Sequence, residues 1–327
     1  MIYQPSPENI NNACAILRQG GLVAFPTETV YGLGADAFNE RALAKIFEVK
    51  GRPKLDPLIL HVSCFADLAK VSEIDLRDKR LQLLKALWPG PLTLILPKKS
   101  TVPAIATSGL PSVAVRIPAN PVASALLESF GGPIAAPSAN PFSYVSPTTA
   151  QHVEAQLGEK IEMILDGGEC QIGLESTILS ILEPTPKLLR PGGVPLERLE
   201  EILGKIEIAG KDSCVLAPGM LPEHYSPRTK LEFLRDINLA SLDPKRTGLV
   251  LFSRKAELEK LGFASLAILS ENGDLGEISH GLFSAMRDLD RLRLDLIVVD
   301  SCATAGLGRA IMDRLERAAK RLAPPTK

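Results

Sequence analysis

The residues best suited to chemistry are cations and hydroxyls that follow predicted strands. The stretch KGRPKLDP holds Lys50, Arg52 and Lys54, three cations within five residues, fixed by flanking prolines. Lysine offers a point charge and arginine a two-pronged donor to phosphate or carboxylate, so the stretch is suited to binding an anion. A solvated basic loop explains the same composition, and this stretch alone does not separate the two.

Further polar groups occur at the ends of other predicted strands. In SVAVRIP, Arg116 interrupts an alternating apolar run. Because burying an unpaired guanidinium is costly, this side chain is expected to face either bulk water or an anionic ligand. Later in the chain, GLESTILSI places Ser176 and Thr177 before a strand, and LLRPGG places Arg190 at a strand end.

A proline-rich turn adds small hydrogen-bonding groups. The stretch IAAPSANPFSYVSP holds Ser138, Asn140, Ser143 and Ser146 just after a predicted strand. Hydroxyl and amide groups on a rigid turn suit hydrogen bonds to a nucleotide or an amino acid, and a plain turn explains them equally well. Together the stretches supply several cations and many hydroxyls with few carboxylates. This composition fits one phosphate-bearing and one carboxylate-bearing substrate.

Several common site types are not indicated. The chain has no G-x-S-x-G motif, and its four histidines do not define a Ser/His/Asp arrangement by spacing. Because the pattern G-x-x-x-x-G-K-[ST] is also missing, FPTETVYGLGAD at residues 25–36 is not a conventional phosphate loop. The five cysteines show no C-x-x-C spacing, so they are expected to be buried free thiols rather than zinc ligands or disulfides.

The elements that would position these residues alternate between strand and helix over the first two hundred positions. Helices are predicted at 7–19, 40–49, 77–87, 122–130 and PLERLEEILG, and strands at 22–25, 58–62, 92–96, 113–117, 134–136, 163–165, 177–181 and 187–190. This alternation is typical of an α/β sheet domain, in which polar groups at strand ends usually build the site.

The length of 327 residues favours two domains. We expect a first domain at 1–204, a proline-rich linker at 205–230 and a small α/β domain at 231–327. In the last of these, TGLVLFS, SLAILS and LDLIVVD read as strands of a parallel sheet. This region lacks a G-x-G-x-x-G after its first strand, so dinucleotide binding is not predicted.

The bulk composition excludes some protein classes. Hydrophobic residues make up 45% of the chain, which predicts a folded protein, and 37 basic against 38 acidic side chains argue against a surface that binds nucleic acid throughout. No N-terminal signal pattern and no apolar run near the roughly 20 residues of a membrane span are visible. A cytoplasmic location is therefore expected.

Taken in order, the motifs resemble a known family. FPTETVYGLGAD, K-x-R-P before PLILHV, WPGPLTLIL, VRIP, PSAN, GLESTI and LLRPGG look like a YrdC-like domain across residues 10–200. APGMLPEHYSP and GLGRAIMDRLERAA resemble the long, two-domain form of L-threonylcarbamoyladenylate synthase. The resemblance implies a twisted mixed sheet with flanking helices and a smaller, Rossmann-like C-terminal domain.

The same resemblance implies an activity and its participants. L-threonine, bicarbonate and ATP, the last with Mg²⁺, would give threonylcarbamoyl-AMP and pyrophosphate. The product would pass to the machinery that modifies the adenosine next to the anticodon of tRNA. The main alternative is a double-stranded RNA-binding module without catalysis. A carbamoyl-adenylate role in hydrogenase maturation is a second alternative, which the missing C-x-x-C pairs oppose.

The resemblance also implies roles for single residues. Contacts to threonine are expected from Thr29, Tyr31, His61, Arg116, the backbone of Ala136, and Ser176, with Arg116 taking the carboxylate. Contacts to ATP are expected from Lys50, Arg52, Asp56, Ser112, Ser138, Asn140, Ser146, Arg190 and Tyr225. Lys50, Arg52 and Arg116 would support catalysis. Asp56 stands where K-x-R-P-x-x-N-P would have asparagine, so its contact is the least typical of the family.

The implied activity suggests roles for two segments, the FPTETVYGLGAD stretch and the linker. The backbone of FPTETVYGLGAD is expected to turn closely at Gly32 and Gly34, while Thr27, Thr29 and Tyr31 line an amino-acid pocket. The linker, with Tyr225, is expected to fold over the nucleotide and exclude water. Carbamate attack on the α-phosphate needs no side-chain nucleophile, and His61 is a candidate base or binding residue.

Overall fold

A computed structural model describes residues 1–210 and 225–320. Contacts divide the chain into two compact units, Met1–Phe142 with Ser146–Leu221 and Ser143–Val145 with Pro222–Lys327. Residues 211–224, which form most of the expected linker, lie outside the described residues. None of the helices within residues 1–210 and 225–320 could span a lipid bilayer.

The first unit is built on one mixed sheet of eleven strands. These are β1 (Ile2–Tyr3), β2 (Val23–Phe25), β3 (Gly32–Asp36), β4 (Ile59–His61), β5 (Leu92–Pro97), β6 (Ser112–Arg116), β7 (Ile134–Ala135), β8 (Met163–Leu165), β9 (Thr177–Ser180), β10 (Lys187–Arg190) and β11 (Glu207–Ile208). Their order is β1-β8-β2-β3-β7-β4-β6-β5-β9-β10-β11. The sheet contains both parallel pairs such as β4/β6 and antiparallel pairs such as β5/β6, which confirms the predicted mixed sheet.

Helices flank this sheet where the sequence provides start and stop signals. They are α1 (Pro7–Arg18), α2 (Glu40–Lys50), α3 (Leu68–Val71), α4 (Lys79–Leu84), α5 (Pro121–Phe130), α6 (Ala150–Leu157) and α7 (Leu196–Leu203), with 3₁₀ helices at Phe65–Asp67, Lys85–Leu87, Ala104–Thr107 and Gly158–Lys160. The Ser6 side chain caps α1, and Asn39 caps α2. Such side chains accept hydrogen bonds from the first free N–H groups and thereby fix where a helix begins.

Side-chain alternation gives the central strands two different faces. Leu60, Leu94 and Val115 point into the large core, which also contains apolar residues of α2, α4, α6 and α7. Ile59, Ile95 and Ala114 point the other way, into a small apolar cluster with Ile178 and Leu189. His61 and Arg116 lie on the side of this second cluster because they follow Ile59 and Ala114 by two residues. The sheet therefore presents polar side chains around a small apolar patch.

The stretch FPTETVYGLGAD is not the turn that was predicted. Gly32 and Gly34 lie inside β3, which pairs antiparallel with β2 and matches Gly32 to Phe25 and Gly34 to Val23. A Cβ on Gly34 would come within 2.8 Å of the Phe25 ring, so the absence of a side chain permits close packing within the sheet. The chain reverses earlier, between Pro26 and Tyr31. The expectation of a close turn at the two glycines was therefore wrong.

The second unit contains a four-stranded parallel sheet. Its strands are β12 (Lys230–Phe233), β13 (Thr247–Leu251), β14 (Ser265–Ile268) and β15 (Leu296–Val299), in the order β12-β15-β13-β14. Its helices are α8 (Ala256–Glu259), α9 (Leu275–Arg291) and α10 (Gly308–Ala319), with 3₁₀ helices at Leu234–Asp236, Leu239–Ser241 and Pro244–Arg246. The parallel pairing confirms the predicted α/β class. Strand β12, which lies where the linker was expected to end, was not predicted.

Aromatic and cationic side chains pack inside the second unit. Tyr225 is fully buried, stacks on Phe283 at 5.7 Å and lies under the Arg314 guanidinium at 4.8 Å. The Tyr144 hydroxyl donates to Asp290 at 2.6 Å, and burial raises the pKa of this phenol to about 12. These contacts fasten the segments around residues 144 and 225 to α9 and α10.

The described cysteines are free thiols, as expected, but they are not uniformly buried. Cys14 and Cys170 are buried, whereas Cys64 is exposed and Cys302 is half-buried. The prediction of burial was therefore wrong for Cys64, which precedes a short 3₁₀ helix at the surface.

Candidate functional site

Three strands bring their polar residues together at one edge of the second face. His61 ends β4 and Arg116 ends β6, and the two are paired in the parallel register. Thr93 on β5 is opposite Arg116 on the other side, so all three side chains point to the same face. Residues separated by up to 55 positions in the sequence thus meet because the strand order places β4, β6 and β5 side by side.

Arg116 is buried and held by neutral and charged partners. Its Nε donates to the Gly90 carbonyl at 3.3 Å, and its Nη1 donates to Thr29 Oγ1 at 2.8 Å. Its Nη2 lies 2.7 Å from Oε1 of Glu28, but no N–H of Nη2 points at an acceptor within the described chain. Arg116 is therefore not directed at bulk water, and the anion beside it is Glu28 of the chain itself.

The loop before β3 supplies the hydroxyls around this arginine. Thr27 Oγ1 and Thr29 Oγ1 are 2.7 Å apart, and Thr27 also donates to the Val30 carbonyl at 2.7 Å. The Tyr31 ring is fully buried, and its hydroxyl donates to the Gly168 carbonyl at 2.8 Å. Burial raises the pKa of this phenol. The two threonines therefore line the Arg116 side of the loop, and Tyr31 fastens the loop to the turn after β8.

His61 is held as a neutral imidazole. Burial lowers its pKa to about 3, and the nearby Arg116 cation contributes to the lowering, against weaker support for the charged form from the Ile134 and Ile59 backbone. The Phe25 ring meets the imidazole edge-on at 6.1 Å. Its Nδ1 is buried and makes no hydrogen bond within residues 1–210 and 225–320. A neutral nitrogen of this kind can accept or donate one hydrogen bond to a ligand.

A second group of cations surrounds Asp56. Arg52 donates through Nε to the Asp56 carbonyl at 3.0 Å and forms a 2.8 Å ion pair with the Asp56 carboxylate. Burial raises the pKa of Asp56, while the positive charges of Arg52, Lys50 and Arg190 oppose the rise. Lys50 and Arg52 are buried, so the alternative of a solvated basic loop is wrong for both side chains, although Lys54 is exposed.

Lys50 connects this group to the proline-rich turn. Its Nζ donates to the Ser138 carbonyl at 2.5 Å and to the Asn140 carbonyl. The Asn140 amide donates to the Pro141 carbonyl at 2.8 Å, and Ser146 Oγ donates to Glu175 at 2.5 Å. The turn is thus shaped by a lysine and a glutamate from other parts of the chain. Ser112, the first residue of β6, is buried on the face that carries Arg116.

Ser176 links Thr93 to Arg190. Its hydroxyl lies 2.7 Å from Thr93 Oγ1, and Arg190 donates through Nη2 to the Ser176 hydroxyl at 3.1 Å and carbonyl at 2.8 Å. Gly192 makes this arrangement possible, because a Cβ at this position would lie 2.3 Å from the Thr177 nitrogen. The RPGG turn therefore packs directly on the backbone that carries Ser176.

The structure corrects the expectation of few carboxylates. Glu28, Asp56 and Glu175 are all buried, and they contact Arg116, Arg52 and Ser146 respectively. Sequence reasoning missed Glu28, Glu175 and Thr93. Glu28 was detectable as the one charged residue of the TETVYG stretch, whereas Thr93 and Glu175 carry no local signal because their partners, Ser176 and Ser146, come from distant parts of the chain.

The remaining predicted residues occupy different places. Ala136 donates its backbone N–H to the Ile59 carbonyl, directly beside β4, at 2.9 Å. Tyr225 belongs to the second unit and has the buried surroundings described above. The first unit therefore contains the predicted site residues except Tyr225 and, from the proline-rich turn, Ser143.

Comparison with known proteins gives this geometry a context. Residues 15–192 match the Sua5/YciO/YrdC family, described as "Telomere recombination", and residues 194–320 match "Threonylcarbamoyl-AMP synthase, C-terminal domain". A threonylcarbamoyl-AMP synthase from Pyrococcus abyssi (strain GE5 / Orsay) is 43% identical over 94% of this chain and 93% of its own length. The chain belongs to the threonylcarbamoyl-AMP synthase family.

Other members of the synthase family and solved structures agree with this assignment. A threonylcarbamoyl-AMP synthase from Bacillus subtilis (strain 168) is 39% identical over 95% of this chain and 92% of its own length. The crystal structure of P. abyssi Sua5 complexed with L-threonine has a TM-score of 0.88 and 40% identity, covering 98% of this chain and 96% of that one. The predicted YrdC-like fold and family resemblance are confirmed.

Proposed function

We propose that this chain makes L-threonylcarbamoyl-AMP and pyrophosphate from L-threonine, bicarbonate and ATP. Membership of the synthase family over nearly the full length supports this activity, and a structural relative of 40% identity was solved with L-threonine. Within the chain itself, one observation carries it furthest. Arg116 is a buried guanidinium with a donor nitrogen, Nη2, that has no hydrogen-bond acceptor in the described chain.

We assign threonine to the Arg116 end of the site. A carboxylate would satisfy the N–H groups of Nη2, because a charged donor and acceptor form the strongest hydrogen bonds available there. Thr29 and Ser176 hydroxyls, the His61 imidazole and the backbone of Ala136 would surround the rest of the amino acid. The Tyr31 ring would form part of the wall, since its hydroxyl is already bonded to Gly168.

We assign ATP to the Asp56 end, where the charges of three cations act on one carboxylate. Lys50, Arg52 and Arg190 all act on the Asp56 carboxylate, so a polyphosphate there would experience a positive field. The remaining expected contacts within the first unit are Ser112, Ser138, Asn140 and Ser146. Mg²⁺ would arrive as part of the MgATP substrate, since this ion is usually held by phosphates and one or two carboxylates.

The chemistry then requires two steps. Carboxylation joins the threonine nitrogen to the carbon of bicarbonate. Relative to the ammonium form, the nitrogen loses two protons, one of which leaves with the hydroxide of bicarbonate as water while the other passes to bulk water. The carbamate oxygen next attacks the α-phosphate, and the bond to pyrophosphate breaks. Lys50 and Arg52 would neutralise the charge that develops on the leaving group, and orientation of two anions supplies most of the rate.

The product would supply the threonylcarbamoyl group for the adenosine next to the anticodon of tRNA, through a separate transfer machinery. We assign the catalysis to residues 1–204 and place it in the cytoplasm, where ATP and tRNA are available. Handing an activated, hydrolysable adenylate to a partner requires that the partner be present in the same compartment.

The test measures pyrophosphate released from ATP. The reaction is run with both threonine and bicarbonate, and then with each of them left out in turn. Release is expected only when threonine and bicarbonate are both present. Release with ATP alone, or no release under any condition, would contradict the proposed synthase activity. Salt-dependent binding of double-stranded RNA without ATP turnover would instead support the non-catalytic alternative.

A further inference from the structure

Two buried atoms of opposite character lie side by side without hydrogen bonds. Oε1 of Glu28 and Nη2 of Arg116 are 2.7 Å apart, their side chains are 5% and 4% exposed, and neither atom has a hydrogen-bond partner in the described chain. The short distance with no aligned N–H means that the contact is an electrostatic one. The N–H groups of Nη2 point elsewhere, and so one acceptor site of Oε1 remains unused.

The other atoms of both side chains are fixed. Oε2 of Glu28 accepts from the Ala119 N–H at 3.0 Å, while Nε and Nη1 of Arg116 donate to Gly90 and Thr29. The Glu28 backbone carbonyl also accepts from the Ile172 N–H at 2.8 Å. Glu28 is therefore tied to two separate loops and cannot turn away to find another donor at little cost. Buried polar atoms that make no hydrogen bond are rare in folded proteins.

The pair has the pattern that a zwitterionic amino acid requires. An α-amino acid presents a carboxylate and an amine joined through a short N–Cα–C–O path, so the two groups can meet neighbouring protein atoms of opposite charge. Arg116 offers donors for the carboxylate, and Glu28 offers an acceptor beside them. A carboxylic acid without an amine would satisfy Arg116 but leave Oε1 of Glu28 unpaired, and it would also be repelled by the Glu28 charge.

We propose that Glu28 is a substrate-binding residue whose Oε1 accepts a hydrogen bond from the α-amine of threonine, an inference that rests on the proposed function. The amine is the atom that becomes carboxylated. Holding it through one N–H fixes the direction of the nitrogen lone pair toward the incoming carbon. Glu28 thus selects α-amino acids over other carboxylic acids and orients the nucleophile, which separates its role from that of Arg116.

Binding of three probes to the full chain tests this role. L-threonine has both charged groups, L-threoninamide keeps the amine but lacks the carboxylate charge, and (R)-3-hydroxybutanoate keeps the carboxylate but lacks the amine. Dissociation constants are measured for the wild type, Glu28→Gln, Arg116→Gln and the matched control Glu48→Gln, whose side chain is exposed. The ATP dissociation constant of each variant reports whether the fold is kept.

Glu28→Gln is expected to weaken L-threonine and L-threoninamide by the same factor, about 10- to 100-fold, as for loss of a charged hydrogen bond. The same variant should bind (R)-3-hydroxybutanoate with an unchanged or a lower dissociation constant. Arg116→Gln should weaken L-threonine far more than L-threoninamide. Glu28→Asp keeps the charge on a shorter side chain and should weaken L-threonine and L-threoninamide by a smaller factor. If Glu28→Gln loses ATP binding, Glu28→Asp is used in its place.

Three results would overturn the role of Glu28. Glu28→Gln could spare L-threoninamide, which would mean that Glu28 acts only through Arg116. It could weaken all three probes equally, which would indicate a general structural effect. It could also change none of them. If the wild type binds no L-threonine and makes no product, the proposed function itself fails, whereas a wild type that does both confines any failure to Glu28.

Discussion

The Asp56 carboxylate lies 2.8 Å from the Arg52 guanidinium, and both side chains are almost completely buried. This ion pair lies among cations that are proposed to bind ATP, so one buried negative charge opposes the substrate. A resident carboxylate at this position holds Arg52 in place and at the same time weakens the field that a polyphosphate experiences.

Asp56→Asn is therefore expected to tighten ATP binding. Removing one negative charge beside three cations should lower the ATP dissociation constant by about three- to tenfold, the scale of a partly screened charge interaction. Titration calorimetry measures the change, and Asp75→Asn is the control because Asp75 is exposed and pairs only with Arg77 among the described residues. Weaker ATP binding in Asp56→Asn would show that positioning of Arg52 outweighs the charge.

The same substitution predicts a pH effect. Burial raises the pKa of Asp56, so lowering the pH neutralises this carboxyl sooner than an exposed one. The difference in ATP affinity between the wild type and Asp56→Asn should consequently narrow as the pH falls. Protonation of ATP itself cancels in this comparison, because both proteins bind the same nucleotide. A difference that grows on acidification would contradict the assigned role.

His61 should make the first unit less stable in acid. The folded protein keeps this imidazole neutral down to a pKa of about 3, whereas the unfolded chain protonates it below 6.5. The stability that depends on a neutral His61 is fully present above pH 6.5. It is lost as the pH falls toward 3, by at most about 1.4 kcal/mol per pH unit. Between neutral pH and about pH 5, the free energy of unfolding of the wild type should fall by about 2 kcal/mol more than that of His61→Gln.

Urea unfolding followed by tryptophan fluorescence measures this difference, because Trp88, the single tryptophan, lies in the first unit. His280→Gln in the second unit serves as the control. Equal acid sensitivity of the wild type and His61→Gln would mean that His61 is protonated in the folded protein.

Thr93→Val tests the hydroxyl pair at Ser176. The substitution keeps the side-chain shape but removes the 2.7 Å contact to the Ser176 hydroxyl. We expect a loss of about 1–2 kcal/mol in stability and a three- to tenfold, or about 1 kcal/mol, weakening of threonine binding. Thr107→Val is the control, since Thr107 is also buried and, among residues 1–210 and 225–320, its hydroxyl bonds only to the Ala104 and Leu110 carbonyls. Unchanged threonine affinity in Thr93→Val would remove Ser176 from the threonine pocket.

Gly192→Ala tests the close approach of the RPGG turn. An alanine Cβ would lie 2.3 Å from the Thr177 nitrogen and 2.4 Å from the Glu175 carbonyl oxygen, so the backbone must move. A loss of about 3 kcal/mol in stability is expected, together with weaker threonine binding because Ser176 moves with its backbone. Gly210→Ala has nothing within 4 Å and should be neutral. A fully stable Gly192→Ala variant would show that the turn can shift freely.

Much of the fold follows from local sequence signals. The helix predicted at 7–19 is observed as Pro7–Arg18, and the apolar run predicted as a strand at 92–96 is observed as Leu92–Pro97. The two-residue strand β1 and the strand character of Gly32–Asp36 were not predictable in this way. Both depend on pairing with partners elsewhere in the sheet, and glycine in isolation favours a turn over a strand.

The site residues also separate into those that the sequence identified and those that it did not. Arg116, Lys50 and Arg52 were identifiable because a cation in an apolar or proline-flanked stretch is conspicuous. Their counter-charges were not, since Glu28 and Arg116 are 88 positions apart and meet only after β2, β3, β7, β4 and β6 are assembled in order. The sequence shows which side chains carry charge, whereas the choice of partner for each charge depends on the folded sheet.

The most direct measurement is incubation of the full chain with MgATP, L-threonine and labelled bicarbonate, followed by prompt separation of the nucleotides. The account predicts a labelled AMP adduct that forms only with all three substrates, and pyrophosphate in equal amount. Intact ATP, or label that never appears in a nucleotide while pyrophosphate accumulates, would contradict it.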